Sequence, residues 1–316
     1  MTVEWDLCDE ADRVVVYDLA HWQGVKLAWP AIRAVGVEGV YCKTWHGPWR
    51  VQTGDVQLAE AEAAGIAYRR RYLWLLPGQS PDAQAKAAAS SQDALVTGPL
   101  VVDVEDPALA GLTPRQAVTH AERFVSVYAD ATGHLPEVYT GTWYWVQYLG
   151  NIDSQILAEC NHIIAAYPRL AAIAAEHHDA ATQYARAVVE VCGGKAPAIP
   201  LPWASRGVQP LGWQFDGDKG LYIPAASGEI GKGDVDVNLF ARSRLFETLH
   251  HRDTDPAPWD PTPPALRRSP TEVPSLEQVL QELTEPPDSS EPTNPGTPTS
   301  KSSDRLRAVR PEEDPP

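Results

Sequence analysis

Along the chain, short β-branched runs alternate with stretches in which apolar residues recur at helical spacing. Val14-Val15-Val16-Tyr17 runs into Asp18, Gly39-Val40-Tyr41-Cys42-Lys43 forms a second run, and Ile66 to Leu76 a third, interrupted by three arginines. Leu100 to Glu105 is a fourth, opened by Gly98-Pro99 and closed by Pro107. Glu137-Val138-Tyr139-Thr140, His162 to Tyr167 (stopped by Pro168), Gly212-Trp213-Gln214-Phe215 and Val235-Asp236-Val237-Asn238 follow. Such runs are too short for helices, and their branched side chains favour strands. Helices are predicted between many of them. One spans Trp29 to Val35 with Pro30 in its first turn, and another spans Asp55 to Ala64, stopped by Gly65. An alanine-rich helix lies within Pro77 to Ser91, and Thr113-Pro114 begins one that runs to about Ala131 and is capped by Gly133. Trp143 to Leu149 reads as an aromatic helical turn, and Leu170 to Val191 as a helix closed by Gly193-Gly194. Roughly eight strands separated by helices predict an α/β fold with a parallel sheet, closed as an irregular TIM-like (β/α) barrel.

Alternation along these strands places the polar residues. In the fourth run Leu100, Val102 and Val104 share an apolar face, while Val101, Asp103 and Glu105 share the other. Asp18 shares a face with Val14 and Val16. Catalytic groups of such barrels sit at the C-terminal ends of the strands, where Asp18, Asp103, Glu105 and Asp236 are all expected. Ionised acids are costly to bury, and two neighbours push their proton affinities apart, leaving one able to donate. That is glycosidase chemistry: an acid for the leaving oxygen and a second carboxylate for the cationic transition state. Asp-x-Glu by itself fits a solvated strand end or a divalent-metal site equally well. Asp234 shares a strand face with Asp236 and competes with it as the last acid. Lys43 is expected as a buried ion-pair partner of the acidic residues.

Composition narrows the class. A net charge of −16 argues against nucleic acid and against adsorption to anionic lipid, and leaves a neutral or mixed-charge polymer as partner. No apolar run approaches a membrane span. The first thirteen residues carry five acids and no apolar core, unlike a secretory signal. Synthesis in the cytoplasm is expected, with something else delivering the protein to any substrate outside it. Cys8, Cys42, Cys160 and Cys192 are scattered without zinc or disulfide-scaffold spacing, Cys42 and Cys160 reading as buried free thiols made in a reducing compartment. His177-His178 and His250-His251 lack the acid–histidine spacing of a ligand set, so neither metal nor cofactor is expected. Half of the tryptophans, including the Trp143-Tyr144-Trp145 cluster, are expected to pack rather than to stack on ligand.

From Arg252 onward the composition changes. Fifteen of the 29 prolines lie there among Ser, Thr and Glu, so a disordered tail over 252–316 is expected after a catalytic barrel over 1–251. Leu276, Val279, Leu280 and Leu283 outline a brief amphipathic helix suited to docking another protein; the barrel itself is expected as a monomer.

Taken in order, these motifs resemble glycoside hydrolase family 25, the Chalaropsis-type lysozymes frequent among bacteriophage endolysins. Tyr17 to Gly24 resembles the family's opening Asp-x-Ser-x-Trp-Gln-Gly segment, with Ala20-His21 replacing the usual Ser and variable residue. Val40 to Thr44 resembles its second strand and Val101 to Glu105 its Asp-x-Glu strand. Glu137 to Thr140, Ile164 to Tyr167, Trp213-Gln214 and Val235 to Phe240 resemble later landmarks, over about residues 13 to 246 in all.

The resemblance implies hydrolysis of the β-1,4 bond between N-acetylmuramic acid and N-acetylglucosamine in peptidoglycan. It implies Glu105 as general acid and Asp103 as the group orienting the substrate's acetamido oxygen as internal nucleophile. Direct attack on the sugar by a carboxylate, or by a water that one activates, stays open. Asp18 and Asp236 would complete the acidic basin, with Tyr139, Tyr167, Trp213, Gln214 and Lys43 around the sugar. Three departures stand out. Arg69-Arg70-Arg71-Tyr72 displaces the third-strand tyrosine by one residue, which predicts Tyr72 off the site and arginines lining the cleft. Thr44-Trp45-His46-Gly47 replaces Ala-Thr-Glu-Gly and puts an aromatic at the expected rim. The stretch from Arg169 to Ser205 is longer than usual. A catalytically silent barrel serving as a wall-binding or virion structural module is the alternative reading.

Overall fold

The computed structural model describes residues 12–34, 36–91, 95–167, 197–216 and 235–245, together with Cys8, Val189 and Cys192. Its strands are β1 (Arg13–Leu19), β2 (Val37–His46), β3 (Trp49–Arg50), β4 (Tyr68–Trp74), β5 (Val101–Asp103), β6 (Glu137–Gly141), β7 (His162–Ala165), β8 (Gly212–Asp216) and β9 (Asp236–Ala241). Its helices are α1 (Trp29–Ala34), α2 (Gln52–Ala63), α3 (Pro81–Ala89), α4 (Pro114–Thr132), α5 (Thr142–Gln147), α6 (Gln155–Ala158) and α7 (Leu201–Ala204). The order β1-β9-β8-β7-β6-β5-β4-β2 closes through a β1–β2 pairing, and β3 folds back on the end of β2. This is the expected α/β barrel.

The caps act as the sequence indicates. Thr113 Oγ1 accepts the Gln116 amide while the Gln116 side chain returns to the Thr113 backbone, and Gly133 takes φ +75° to end α4. Both histidine pairs, Asp234, the tail from Arg252 and most of the helix Leu170–Val191 and of the longer stretch 169–205 lie outside the described residues. So does the expected 251/252 boundary. The short α6 and α7 and the β2–β3 hairpin add to the predicted elements.

Not every strand is parallel. β9 runs antiparallel to both β1 and β8, so Asp236 sits at the start of its strand rather than the end. The reversal leaves it at the correct end of the barrel, because Asp236 pairs in register with Asp18, near the exit of β1. Periodicity cannot report strand direction, which is fixed by where the connecting chain crosses the sheet.

Alternation divides the core. Leu100, Val102 and Val104 pack outward against α3 and α4, with Phe124, Val125 and Trp145. Val14, Val16, Tyr41, Tyr72, Val101, Tyr139, Ile163 and Phe240 fill the barrel interior. Gly54 of α2 is required by close approach: a Cβ there would collide with the backbone carbonyl of Lys43. Gly54→Ala is expected to push α2 away from β2 and to destabilise the protein by about 1–3 kcal/mol, read from a urea titration.

The arginines of β4 do not line the cleft. Arg70 is buried with Glu137 deep in the barrel, where the Tyr41 hydroxyl also bonds Glu137 at 3.4 Å. Arg69 bonds the carbonyls of Leu95 and Ile66, and Arg71 bonds Ser91 Oγ at 2.6 Å. Each cation settles where acceptors meet the alternating faces of the strand. Trp45 is not at the rim either: it is 8 % exposed, packed against the outer core, with the Arg50 guanidinium 5.1 Å from its ring centre.

Cys42 and Cys160 are buried free thiols as expected, but Cys8 and Cys192 form a disulfide across 184 residues of sequence. Spacing could not reveal it, because the fold alone brings their Cα atoms to 5.4 Å.

His162 is fully buried, stacked on Trp203 with ring centres 4.5 Å apart. Burial, then the nearby Arg244 charge, push its pKa down from 6.5 to about 3. Below pH 6.5 the unfolded chain therefore takes up a proton that the folded chain refuses down to about pH 3. Stability is expected to fall with pH across that window, and His162→Phe to flatten the slope in thermal melts.

Candidate active site

The inner faces of five strands carry the polar residues to one end of the barrel. β1 delivers Asp18, β2 Lys43, β5 Asp103, β8 Gln214, and β9 Asp236 and Asn238. Glu105 follows β5 by two residues, just past the sheet, where its carboxyl reaches the mouth. The chain around it is pinned: the Val104 carbonyl accepts from Thr140 Oγ1 at 2.8 Å, its amide donates to the Tyr139 carbonyl at 2.9 Å, and Tyr144 Oη donates to the Asp106 carbonyl at 2.8 Å. A cavity beneath the acids is lined by Asp18, Tyr41, Tyr72, Asp103, Tyr139 and Asn238, among others.

The acids raise one another's proton affinity. Burial, then the charge of Asp236, push the Glu105 carboxyl up to about 7. Burial, then Glu105, push Asp18 up to about 7 as well. Asp103 is held well above the usual carboxylate range by burial and then by Glu105 and Asp18. Lys43 opposes the rise at all three. It is 6 % exposed, with its ammonium 4.7 Å from the centre of the Trp74 ring. The Oδ1 atom of Asp103 is buried and meets no hydrogen-bond partner among the described residues. An acceptor left bare in this way costs free energy until a donor fills it.

A polar chain joins the two sides of the mouth. Tyr139 Oη donates to Gln214 Oε1 at 2.7 Å and Tyr167 Oη donates to the same oxygen at 2.5 Å. Gln214 Nε2 donates to Asp18 Oδ2 at 3.4 Å. Asp18, Asp103, Glu105, Asp236, Lys43, Tyr139, Tyr167 and Gln214 thus come together as the sequence suggests. Gln214 is fully buried, whereas Tyr167 is 49 % exposed at the rim.

Trp213 does not join them. It points outward from β8 into the layer beneath the helices, its Nε1 donating to the Ala166 carbonyl at 2.8 Å. Adjacent residues of a strand face opposite sides, so Gln214 and Trp213 cannot both face the interior. Tyr72, expected off the site, instead lies in the cavity wall together with Asp18. Trp74, which pairs in register with Asp103, was not anticipated at all. The signal was the Arg70/Tyr72/Trp74 alternation within β4, which the displaced family position obscured.

Among the described residues no group of three His, Cys, Asp or Glu side chains is placed to hold a metal ion. Comparison with known families finds that residues 17–189 match Glycosyl hydrolases family 25. The chain belongs to this family.

Solved structures agree with that assignment. A muramidase from Acremonium alcalophilum is 25 % identical, with a TM-score of 0.55 over 75 % of this chain and 99 % of that one. A bacterial lysozyme from Streptomyces coelicolor, at 23 % identity, shares the fold with a TM-score of 0.57 over 77 % of this chain and 99 % of that one. A family GH25 lysozyme from Aspergillus fumigatus shares it at 21 % identity and a TM-score of 0.54, covering 74 % and 99 %. No curated protein sequence matches the chain. As a family 25 glycoside hydrolase, the protein has its opening acid, its Asp-x-Glu strand and both cleft tyrosines within the matched residues. Gln214 and Asp236 lie beyond the match and are brought to the site by barrel closure.

Proposed function

We propose that this glycoside hydrolase is a muramidase that cleaves the β-1,4 bond between N-acetylmuramic acid and N-acetylglucosamine in peptidoglycan, with Glu105 as general acid. The observation that carries the reading is the pairing of Glu105, its carboxyl pushed up to about 7, with Asp103, whose buried Oδ1 meets no donor among the described residues. Glu105 keeps its proton near neutrality and delivers it to the glycosidic oxygen as the bond to the anomeric carbon breaks. Asp103 accepts the N–H of the muramic acid acetamide, turning the acetamide oxygen toward the anomeric carbon. That oxygen forms the new bond, giving a cyclic oxazolinium ion whose positive charge the Asp103 carboxylate offsets. Water then opens the ring and gives its proton to Glu105, restoring the acid. Asp18 and Asp236 hold sugar hydroxyls around this pair, and Tyr167 at the rim stacks on a sugar face. The test is incubation with purified peptidoglycan followed by analysis of the soluble fragments. New muramic acid reducing ends are expected; N-acetylglucosamine reducing ends, or none, would refute the bond assignment.

For its setting we propose the role of an endolysin, monomeric, carried to the wall through a separate pore, with the proline-rich segment from Arg252 as a tether to another protein. The acidic basin is formed within a single chain, and the disulfide fits action outside the reducing cytoplasm. Expressed in a bacterial host, the protein is expected to lyse cells only when a pore-forming protein is co-expressed. Lysis without one would mean that it reaches the wall unaided.

A further inference from the structure

Of the aromatic cluster in α5, Tyr144 and Trp145 are buried as expected, but Trp143 is 42 % exposed. Single exposed aromatics are common on protein surfaces, yet this ring is held in one place. A Cβ built on Gly141 would lie 2.7 Å from Trp143 Nε1 and 3.1 Å from each of the two carbons bonded to that nitrogen. Such similar distances to three bonded atoms put that point above the ring face and not beyond its edge. The indole therefore lies flat against Gly141. Tyr144 and Tyr148 stand nearly at right angles to it, with ring centres 5.9 and 6.0 Å away.

The space the indole occupies belongs to the barrel mouth. Gly141 shares the inner face of β6 with Tyr139, and its register partner Ala165 lies in the interior cluster with Tyr139 and Ile163. A side chain at Gly141 would point inward, and the Trp143 ring fills the room that its absence leaves. Asp103 pairs with Tyr139, so two residues further along Glu105 comes level with Gly141. Hydrogen bonds on both sides of Glu105 fix that alignment: Thr140 Oγ1 donates to the Val104 carbonyl and Tyr144 Oη to the Asp106 carbonyl, each at 2.8 Å. Tyr167 lies two residues past Ala165, so the two half-exposed rings stand at the ends of adjacent strands.

We propose that Trp143 is a further substrate-binding residue, whose indole stacks on one sugar ring of the glycan strand beside the ring that Tyr167 holds. Adjacent strands lie about 4.8 Å apart, close to the length of one sugar unit in a β-1,4 chain, so neighbouring sugars meet the two aromatic rings in turn. The C–H face of a pyranose is apolar, and placing it on the exposed indole removes both from water. Because the ring is already fixed against Gly141 and the two tyrosines, little side-chain freedom is lost on binding. The nature of the ligand rests on the muramidase reading; the placement of the ring does not.

The test follows the tryptophan indole signals in 1H–15N NMR spectra of the full-length protein carrying Glu105→Gln, which prevents turnover. The ligand is soluble peptidoglycan glycan strands freed of their peptides, and the Trp143 signal is assigned by its loss in Trp143→Phe. That signal is expected to shift as the strands are added. Trp143→Ala is expected to weaken the dissociation constant about tenfold, and Trp143→Phe, which keeps an aromatic face, to restore most of the loss. Gly141→Ala leaves the indole in the chain but puts a methyl group where it lies, and is expected to weaken binding as well. Strands that bind without moving the Trp143 signal, or that bind Trp143→Ala as tightly, would overturn this inference alone; a mere packing role lowers the melting temperature and leaves the dissociation constant in place. Strands that perturb no signal and show no binding would overturn the muramidase reading, and this inference with it.

Discussion

Glu105→Gln is expected to lower the rate of glycan cleavage by about 10²- to 10⁴-fold, the range that a positioned general acid supplies. Glutamine keeps the size and one hydrogen-bonding oxygen of glutamate but has no proton to give the leaving group. Substrate affinity is expected to change little, because the loss falls on the transition state. The variant is not expected to be less stable. A carboxyl whose pKa rises on folding, here from 4.5 to about 7, makes the folded state take up more protons than the unfolded state across that interval. Stability therefore declines as pH climbs through the window, and removing the group relieves the decline. Melting temperatures above pH 7 are expected to match or exceed those of the unaltered protein. In the unaltered protein kcat/KM is expected to fall above about pH 7 as Glu105 loses its proton. Full activity in Glu105→Gln would place the acid elsewhere in the basin.

Arg70→Met carries the largest expected cost in stability. Arg70 and Glu137 are each 1 % exposed and joined by a salt bridge inside the barrel. Removing the cation strands an acid that cannot reach water, which costs about 3–5 kcal/mol, whereas exchanging both partners for apolar side chains is far milder. Arg70→Met combined with Glu137→Leu is therefore expected to recover most of the loss in a urea titration. Burial already pushes the Glu137 carboxyl up, and without Arg70 it rises further. The single variant is thus expected to regain stability as pH falls and Glu137 takes up a proton. A double variant as unstable as the single one would mean that the pair, and not charge burial, holds this part of the barrel.

Neither residue of that pair was recognised as structural from the sequence. Three successive arginines in an apolar run look like a polar lining for a cleft, yet Arg70 is matched by a glutamate 67 residues away. The same limit applies to Tyr72 and Trp213. Alternation divides a strand correctly into two faces, but it does not say which face is the barrel interior. For β5 the acids settled that choice; for β4 the displaced tyrosine suggested the wrong one, and for β8 residues of both faces, Trp213 and Gln214, were expected at the site. The Cys8–Cys192 bridge and the antiparallel β9 were out of reach for a related reason, since both depend on where distant segments cross.

The sequence by itself determined the α/β alternation, the caps of α4, the two faces of β5 and the four acids at one end of the barrel, because propensity, capping and strand period act over a few neighbouring residues. It also carried the family, through motifs whose order survives divergence. Only the tertiary structure decided that Gln214 bridges Asp18 and Tyr139, that Lys43 rests over Trp74 facing the acids, and that Asp236 stands beside Asp18. Those contacts join residues 31 to 218 positions apart, arising from closure of the ring and from hydrogen-bond geometry across it.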